Sequence, residues 1–291
     1  MHTKEEKLEA FGRLLDIMDA LRERCPWNAG QTMQSIRPMT EEEVYELSDA
    51  ILRGESAEIC KEIGDLLYHM VFYARIAQEN GDFDIADSLG RICDKMVFRH
   101  AHVFRPDGSL VPEGEAPSAK EIADTWELVK AKEKGGNKTV MGGIPDSMPA
   151  ILKAMSMQEK ARGCGFDWEE PSQVWDKVCE EMGEAREAID IAQRAGVNGA
   201  GPMATAAGND ESDSPEAAHV REEFGDLLFA VINAARLYGV DPEAALSATC
   251  SKFRRRFTYL EQNTLHKGRS LKDMSLAEMD AIWDEAKAKG L

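Results

Sequence analysis

The chain has 291 residues, 35 Lys plus Arg against 53 Asp plus Glu, a formal charge of −18 and 43% hydrophobic residues. The acidic excess argues against a nucleic-acid backbone or an anionic membrane surface as partner, because both need clustered cations. The apolar content is enough for a real core and argues against wholesale disorder. No run reaches the ~18–20 apolar residues of a bilayer span, and residues 1–10 are charged rather than signal-like. Six cysteines, none in a CxxC pair, are expected as reduced thiols of a cytoplasmic protein.

In chain order, Leu8, Phe11, Leu14, Leu15, Met18 and Leu21 recur at helical spacing. Ile63, Leu66, Leu67, Met70, Val71 and Ala74 do the same, and later so do Phe224, Leu227, Leu228, Val231 and Ile232. Strand-like alternation is scarce, so the expected fold is all-α. Two stretches interrupt the periodicity. The Gly-rich stretch from Lys134 to Pro145 reads as a linker, and its glycines lack the order of a phosphate-binding loop. A Gly/Ala/Ser-rich stretch at about 192–216 reads as a flexible insertion.

An internal repeat organises the rest. Glu42-Glu43-Val-Tyr-Glu46 matches Glu180-Glu181-Met-Gly-Glu184, and Glu62-Ile-Gly-Asp65-Leu-Leu matches Glu223-Phe-Gly-Asp226-Leu-Leu. Lys95 and Arg99 match Lys252 and Arg256, and Trp126 and Lys130 match Trp283 and Lys287. The expected organisation is therefore a first domain at 1–134, a linker at 135–147 and a second domain at 148–291. The insertion would fall between the two acidic helices of the second copy.

Acids three residues apart share a helix face. Glu43 with Glu46, and Glu62 with Asp65, would bring four carboxylates together if their helices pack antiparallel around a turn near Gly54. Like charges so placed call for a cation, and all-oxygen ligands suit Mg²⁺ or Mn²⁺. Glu181, Glu184, Glu223 and Asp226 repeat the pattern. A di-iron site competes through Glu216-Ala-Ala-His219, without a counterpart in the first half. His69 reads as a structural polar position, and His100 and His102 as surface or capping residues. Lys252 and Arg256 share a face and suit phosphate oxygens, while Trp283 suits a base or the core.

These residues, with Cys25-Pro-Trp27, Arg99-His-x-His-Val-Phe104, Glu159-Lys-Ala-Arg162, Gly165-Phe-Asp-Trp168 and Lys252-Phe-x-Arg-Arg-Phe257, closely resemble the MazG nucleoside triphosphate pyrophosphohydrolases in their tandem form. The resemblance implies two helical-bundle domains that pack as a homodimer. It also implies Mg²⁺-dependent hydrolysis of NTP or dNTP to the monophosphate and pyrophosphate. It places metal ligands at Glu43, Glu46, Glu62 and Asp65, and at Glu181, Glu184, Glu223 and Asp226. Nucleotide contacts fall on Lys177, Arg221, Glu222, Lys252, Arg256, Trp283 and Lys287. Lys252 and Arg256 would neutralise the leaving group, and Glu180 would orient or deprotonate water. Met39 stands where the second half has Lys177, so the second half is expected to carry most of the activity. Two alternatives stay open: a non-catalytic nucleotide-binding stress regulator, and a pyrophosphohydrolase restricted to one nucleotide.

Overall fold

The structure is a computed structural model that describes residues 1–112, 117–131, 133, 139–197, 214–265 and 268–291. Among the described residues there is no strand, only one isolated bridge between Phe104 and Leu110. No described helix is long and apolar enough to cross a membrane. The chain forms two compact units, Met1–Pro117 and Ser118–Leu291.

The first unit contains α1 (Lys4–Arg24), α2 (Pro26–Ala29), α3 (Met33–Arg53), α4 (Ser56–Asn80) and α5 (Ile85–Arg99). Its helix starts are written locally. Thr3 and Asp84 cap the first turns of α1 and α5 in reciprocal capping boxes with Glu6 and Asp87. Helices α3 and α4 pack as a hairpin whose turn requires Gly54, at φ 69°, a conformation side chains rarely adopt. The core joins Met18 of α1, Ile36 of α3 and Val71, Phe72 and Ile76 of α4. This burial fixes which face of α4 turns inward, and so where Glu62 points.

The second unit contains α6 (Ala119–Ala131), α7 (Ala150–Gly163), α8 (Gln173–Arg194), α9 (Pro215–Leu237), α10 (Pro242–Asn263) and α11 (Leu276–Ala288). Helices α8 and α9 form the same hairpin as α3 and α4, and α7 packs on α9 as α1 packs on α4. The described order thus repeats, as the duplicated motifs require. Helix α6 packs on α7 within the second unit, whereas the sequence boundary at 134 places it in the first. Of the expected linker, Met141–Gly143 forms a 3₁₀ turn, and residues 135–138 lie outside the described residues. The expected insertion at 192–216 overlaps helix at both ends, since α8 runs to Arg194 and α9 starts at Pro215. Its central part, 198–213, lies outside the described residues.

Candidate active site

In the first unit the α3–α4 hairpin brings carboxylate oxygens of Glu43, Glu46 and Glu62 within 4.8 Å of one another. Asp65, expected with them, falls outside that tight group. The fourth acid flanks the group. Asp65 still acts on it: burial first, then the charges of Asp65, Glu46 and Glu62, hold the Glu43 carboxyl above its ordinary value. Lys61 reaches in from the side, 2.7 Å from Glu62 and 3.9 Å from both Glu46 and Asp65. Glu62 is only 3% exposed, and its Oε2 is buried without a hydrogen-bond partner. A buried carboxylate oxygen left open in an all-oxygen donor set fits a hard divalent cation.

The second unit repeats the arrangement with Glu181, Glu223 and Asp226, again within 4.8 Å. Here Glu184 is the flanking acid. Partial desolvation, then the charge of Glu181, raises its carboxyl against the opposing pull of Lys177. Glu181 is 6% exposed. Lys177 lies 2.7 Å from Glu181 and 2.9 Å from Glu180, and these two bonds push its ammonium well above its ordinary value. His219 stands 3.5 Å from Glu223 one turn earlier on α9, outside the carboxylate group. Both groups consist of carboxylates alone, which favours the oxygen-ligand reading over the di-iron one.

A cavity of about 610 Å³ opens beside the second cluster. Lys177, Glu181 and Asp226 line it together with Phe166 and Trp168. Its size falls in the ~300–1,000 Å³ range of small-molecule sites. Ala230 and Asn233 of α9 also line it. At the corresponding places on α4, 161 positions earlier, Ala230 is replaced by His69 and Asn233 by Phe72. Both of these are buried in the first unit.

Around the cavity, Arg236 donates to both oxygens of Asp167, at 3.0 and 2.5 Å, and twice to Oδ1 of Asn233, at 3.0 and 2.8 Å. Burial works to raise the Asp167 carboxyl. The hydrogen bonds from Arg236 and the Trp168 backbone outweigh it and hold the group below its usual 3.8. Gln158 donates from Nε2 to the Phe229 carbonyl at 2.9 Å and tethers α7 to α9. Sequence reading missed Gln158, Asn233 and Arg236. Only Asp167 carried a signal, inside Gly165-Phe-Asp-Trp168.

The remaining predicted residues gather elsewhere in the second unit. Arg256 lies over the Trp283 ring at 6.0 Å and donates to the Leu291 carbonyl at 2.7 Å, while the Phe253 ring packs against Trp283 with centroids 5.0 Å apart. Lys287 pairs with Asp284 at 2.9 Å. Lys252, Arg256, Trp283 and Lys287 do not line the cavity, and Arg221 and Glu222 lie on an exposed stretch of α9.

Duplicated helical hairpins, each gripping three carboxylates around a buried one, define a tandem all-α protein with paired candidate metal sites. Residues 31–104 and 169–260 match the model of the MazG nucleotide pyrophosphohydrolase domain. The chain is 36% identical over 289 residues to the nucleoside triphosphate pyrophosphohydrolase of Escherichia coli strain K12, covering 96% of this chain and 98% of that protein. It is also 36% identical over 282 residues to the nucleoside triphosphate pyrophosphohydrolase/pyrophosphatase MazG of Thermotoga maritima, covering 95% of each. A nucleoside triphosphate pyrophosphohydrolase of Mycobacterium tuberculosis matches 53% of the chain at 34% identity. The chain belongs to the MazG family.

Proposed function

We propose that this protein hydrolyses nucleoside triphosphates, ribo or deoxy, to the monophosphate and pyrophosphate, and that its second unit does most of the work. The observation that carries this reading is that a carboxylate cluster and an aromatic-walled cavity share Glu181 and Asp226, with Lys177, paired to Glu181, also lining the cavity. The first unit has a similar cluster, but His69 and Phe72 are buried there at the positions where the second unit has Ala230 and Asn233. That contrast supports the division of labour.

Glu181, Glu223 and Asp226 would hold Mg²⁺, with Mn²⁺ as substitute and Glu184 as the flanking ligand. The bound ion supplies Lewis acidity and a more acidic water. Glu180, held by its bond to Lys177, would be the residue to orient the attacking water or accept its proton. Lys177 balances negative charge at the cluster. Lys252 and Arg256 are assigned to the pyrophosphate oxygens, with Arg221, Glu222, Trp283 and Lys287 completing the nucleotide contacts. Those assignments rest on the family pattern. In the first unit Glu43, Glu46, Glu62 and Asp65 form a second metal site.

The protein is proposed to work as a homodimer in the cytoplasm. Support comes from an apolar seam exposed at the same positions of both hairpins: Ile63, Leu67 and Met70 on α4, and Phe224, Leu228 and Val231 on α9. Light scattering on the purified chain reads the mass, and a monomer at micromolar concentration would refute the dimer.

The activity test is product analysis with the eight common NTPs and dNTPs, with and without Mg²⁺. Equal monophosphate and pyrophosphate, lost on adding EDTA, is the expected result. Release of inorganic phosphate with a diphosphate would overturn the assignment of the scissile bond. Binding without turnover would favour a nucleotide-binding regulator.

A further inference from the structure

The second-unit cavity carries polar groups that neither the metal cluster nor phosphate binding uses. Asn233 lines it two helical turns beyond Asp226 on α9. Seven residues of helix bring a side chain back to nearly the same face, about 10 Å further along, a span comparable with the length of a nucleoside. The orientation of the Asn233 amide is fixed. Its Oδ1 accepts from Nε and Nη2 of Arg236, and Arg236 is clamped in turn by Asp167. The NH₂ group therefore faces away from the guanidinium, and no described residue accepts from it. A flipped amide would set NH₂ against guanidinium and is excluded by charge.

Gln158 supplies the complement. It lines the same cavity and is 5% exposed. Its Nε2 is committed to the Phe229 carbonyl, and its Oε1 is buried with no partner. Turning this amide over would bring carbonyl against carbonyl, so an acceptor is what remains. A buried acceptor without a partner costs more than a typical hydrogen bond returns; Oε1 is closed off from solvent in this structure, so a shift of the Gln158 side chain on the cavity wall is needed to offer it to a donor in the cavity.

We propose that Asn233 and Gln158 read the pairing edge of the nucleobase, Asn233 as donor and Gln158 as acceptor. Every common base offers an acceptor next to an N–H donor on that edge, either as a carbonyl beside a ring N–H or as a ring nitrogen beside an amino group. The substrate class is therefore nucleotides with an intact donor–acceptor edge. Bases stripped of the donor are rejected. This inference rests on the reading of the cavity as the nucleotide site.

The test uses the full chain and three triphosphates that differ only at this edge: adenosine (amino donor), inosine (ring N–H donor) and purine riboside (no donor). kcat/KM is measured for each in the wild type, Asn233→Asp and Gln158→Met. Asn233→Asp preserves an oxygen for Arg236 and turns the fixed donor into an acceptor. Losing one neutral hydrogen bond is worth roughly tenfold. Wild type should favour at least one of the first two nucleotides over purine riboside by about that factor, and the favoured one reports which pair is read. Both variants should flatten the difference, with thermal midpoints checked to separate this from loss of fold. Wild-type values within twofold for all three nucleotides, or undiminished discrimination in Asn233→Asp, would overturn the proposal. If none of the three is hydrolysed, the parent reading fails separately. Calorimetric titration with the same three nucleotides then decides the edge-reading by the same criteria.

Discussion

Replacing Glu181 by glutamine separates what this carboxylate does for the fold from what it does for the metal. Glu181 is buried beside Glu223 and Asp226, with all three ligand atoms within 4.8 Å. At that distance and an effective dielectric constant of about 20, each of its two repulsions is about 3.5 kcal/mol. Against them stands Lys177 at 2.7 Å, worth about 6 kcal/mol on the same scale. The lysine side chain is 39% exposed, so solvent screening takes a further share from the attraction. Repulsion and attraction therefore nearly cancel, with a small balance in favour of removing the charge. In EDTA the variant should melt at the wild-type temperature or a few degrees higher. With Mg²⁺ the sign reverses. Wild type gains about 2.7 kcal/mol at a hundred times the dissociation constant, and the variant loses most of that gain. Pyrophosphate release should fall by about a hundredfold or more, equivalent to ~2.7 kcal/mol of transition-state stabilisation. Melting curves in EDTA and Mg²⁺ and a pyrophosphate assay read both effects. A variant that melts far below wild type in EDTA, or one that keeps its Mg²⁺-induced shift, would refute the reasoning.

Glu43→Gln makes the same change in the first unit, and its effect on turnover should be at least tenfold smaller than that of Glu181→Gln; equal losses would contradict the division of labour. Ala230→His gives the second unit the residue that stands at that place in the first. It should raise KM by roughly tenfold or more while the Mg²⁺-induced melting shift survives, and an unchanged KM would show that the cavity is not the nucleotide site. Asp167 is held below its usual 3.8, so its ion pair with Arg236 stabilises the fold above that pH. The contribution is lost as pH falls through the lowered value. Asp167→Asn should accordingly destabilise by about 1–3 kcal/mol at pH 7, with the gap closing in strong acid. A gap independent of pH would mean that Arg236 does not depend on the carboxylate charge.

The helical register was legible because it is periodic. Val71 and Ala74 mark the inward face of α4, whereas Ile63 and Leu67 of the same apolar run stay exposed, so periodicity gave the helix but not which of its apolar stripes turns inward. The hairpin could be read from Gly54, which sits at positive φ where the chain reverses. The tightness of each carboxylate group was less legible. Spacing treats Asp65 and Glu184 like their neighbours, and it gives no sign that the acid left at the edge differs between the units, since Asp226 and Glu46, their counterparts, lie inside their groups. The cavity left almost no trace, because its lining comes from residues of α7, α8 and α9 and the segment 165–168 that are far apart in the chain. Asp167 and Arg236 lie 69 residues apart and meet only when α9 has packed. The packing of α6 on α7 was likewise hidden, since the Trp126 motif shows kinship with the Trp283 motif but not the neighbour it chooses.

The two hairpins close over very different spans of chain. Residues 54–55 join α3 to α4, while residues 195–214 join α8 to α9. Loop-closure entropy grows only with the logarithm of length, so tenfold more chain costs about 2 kcal/mol. Contact between the helix faces, rather than the tether, must then set the geometry of the pair. Within the second unit, α8 and α9 hold their register by their facing surfaces, as α3 and α4 do, although about ten times as much chain joins them.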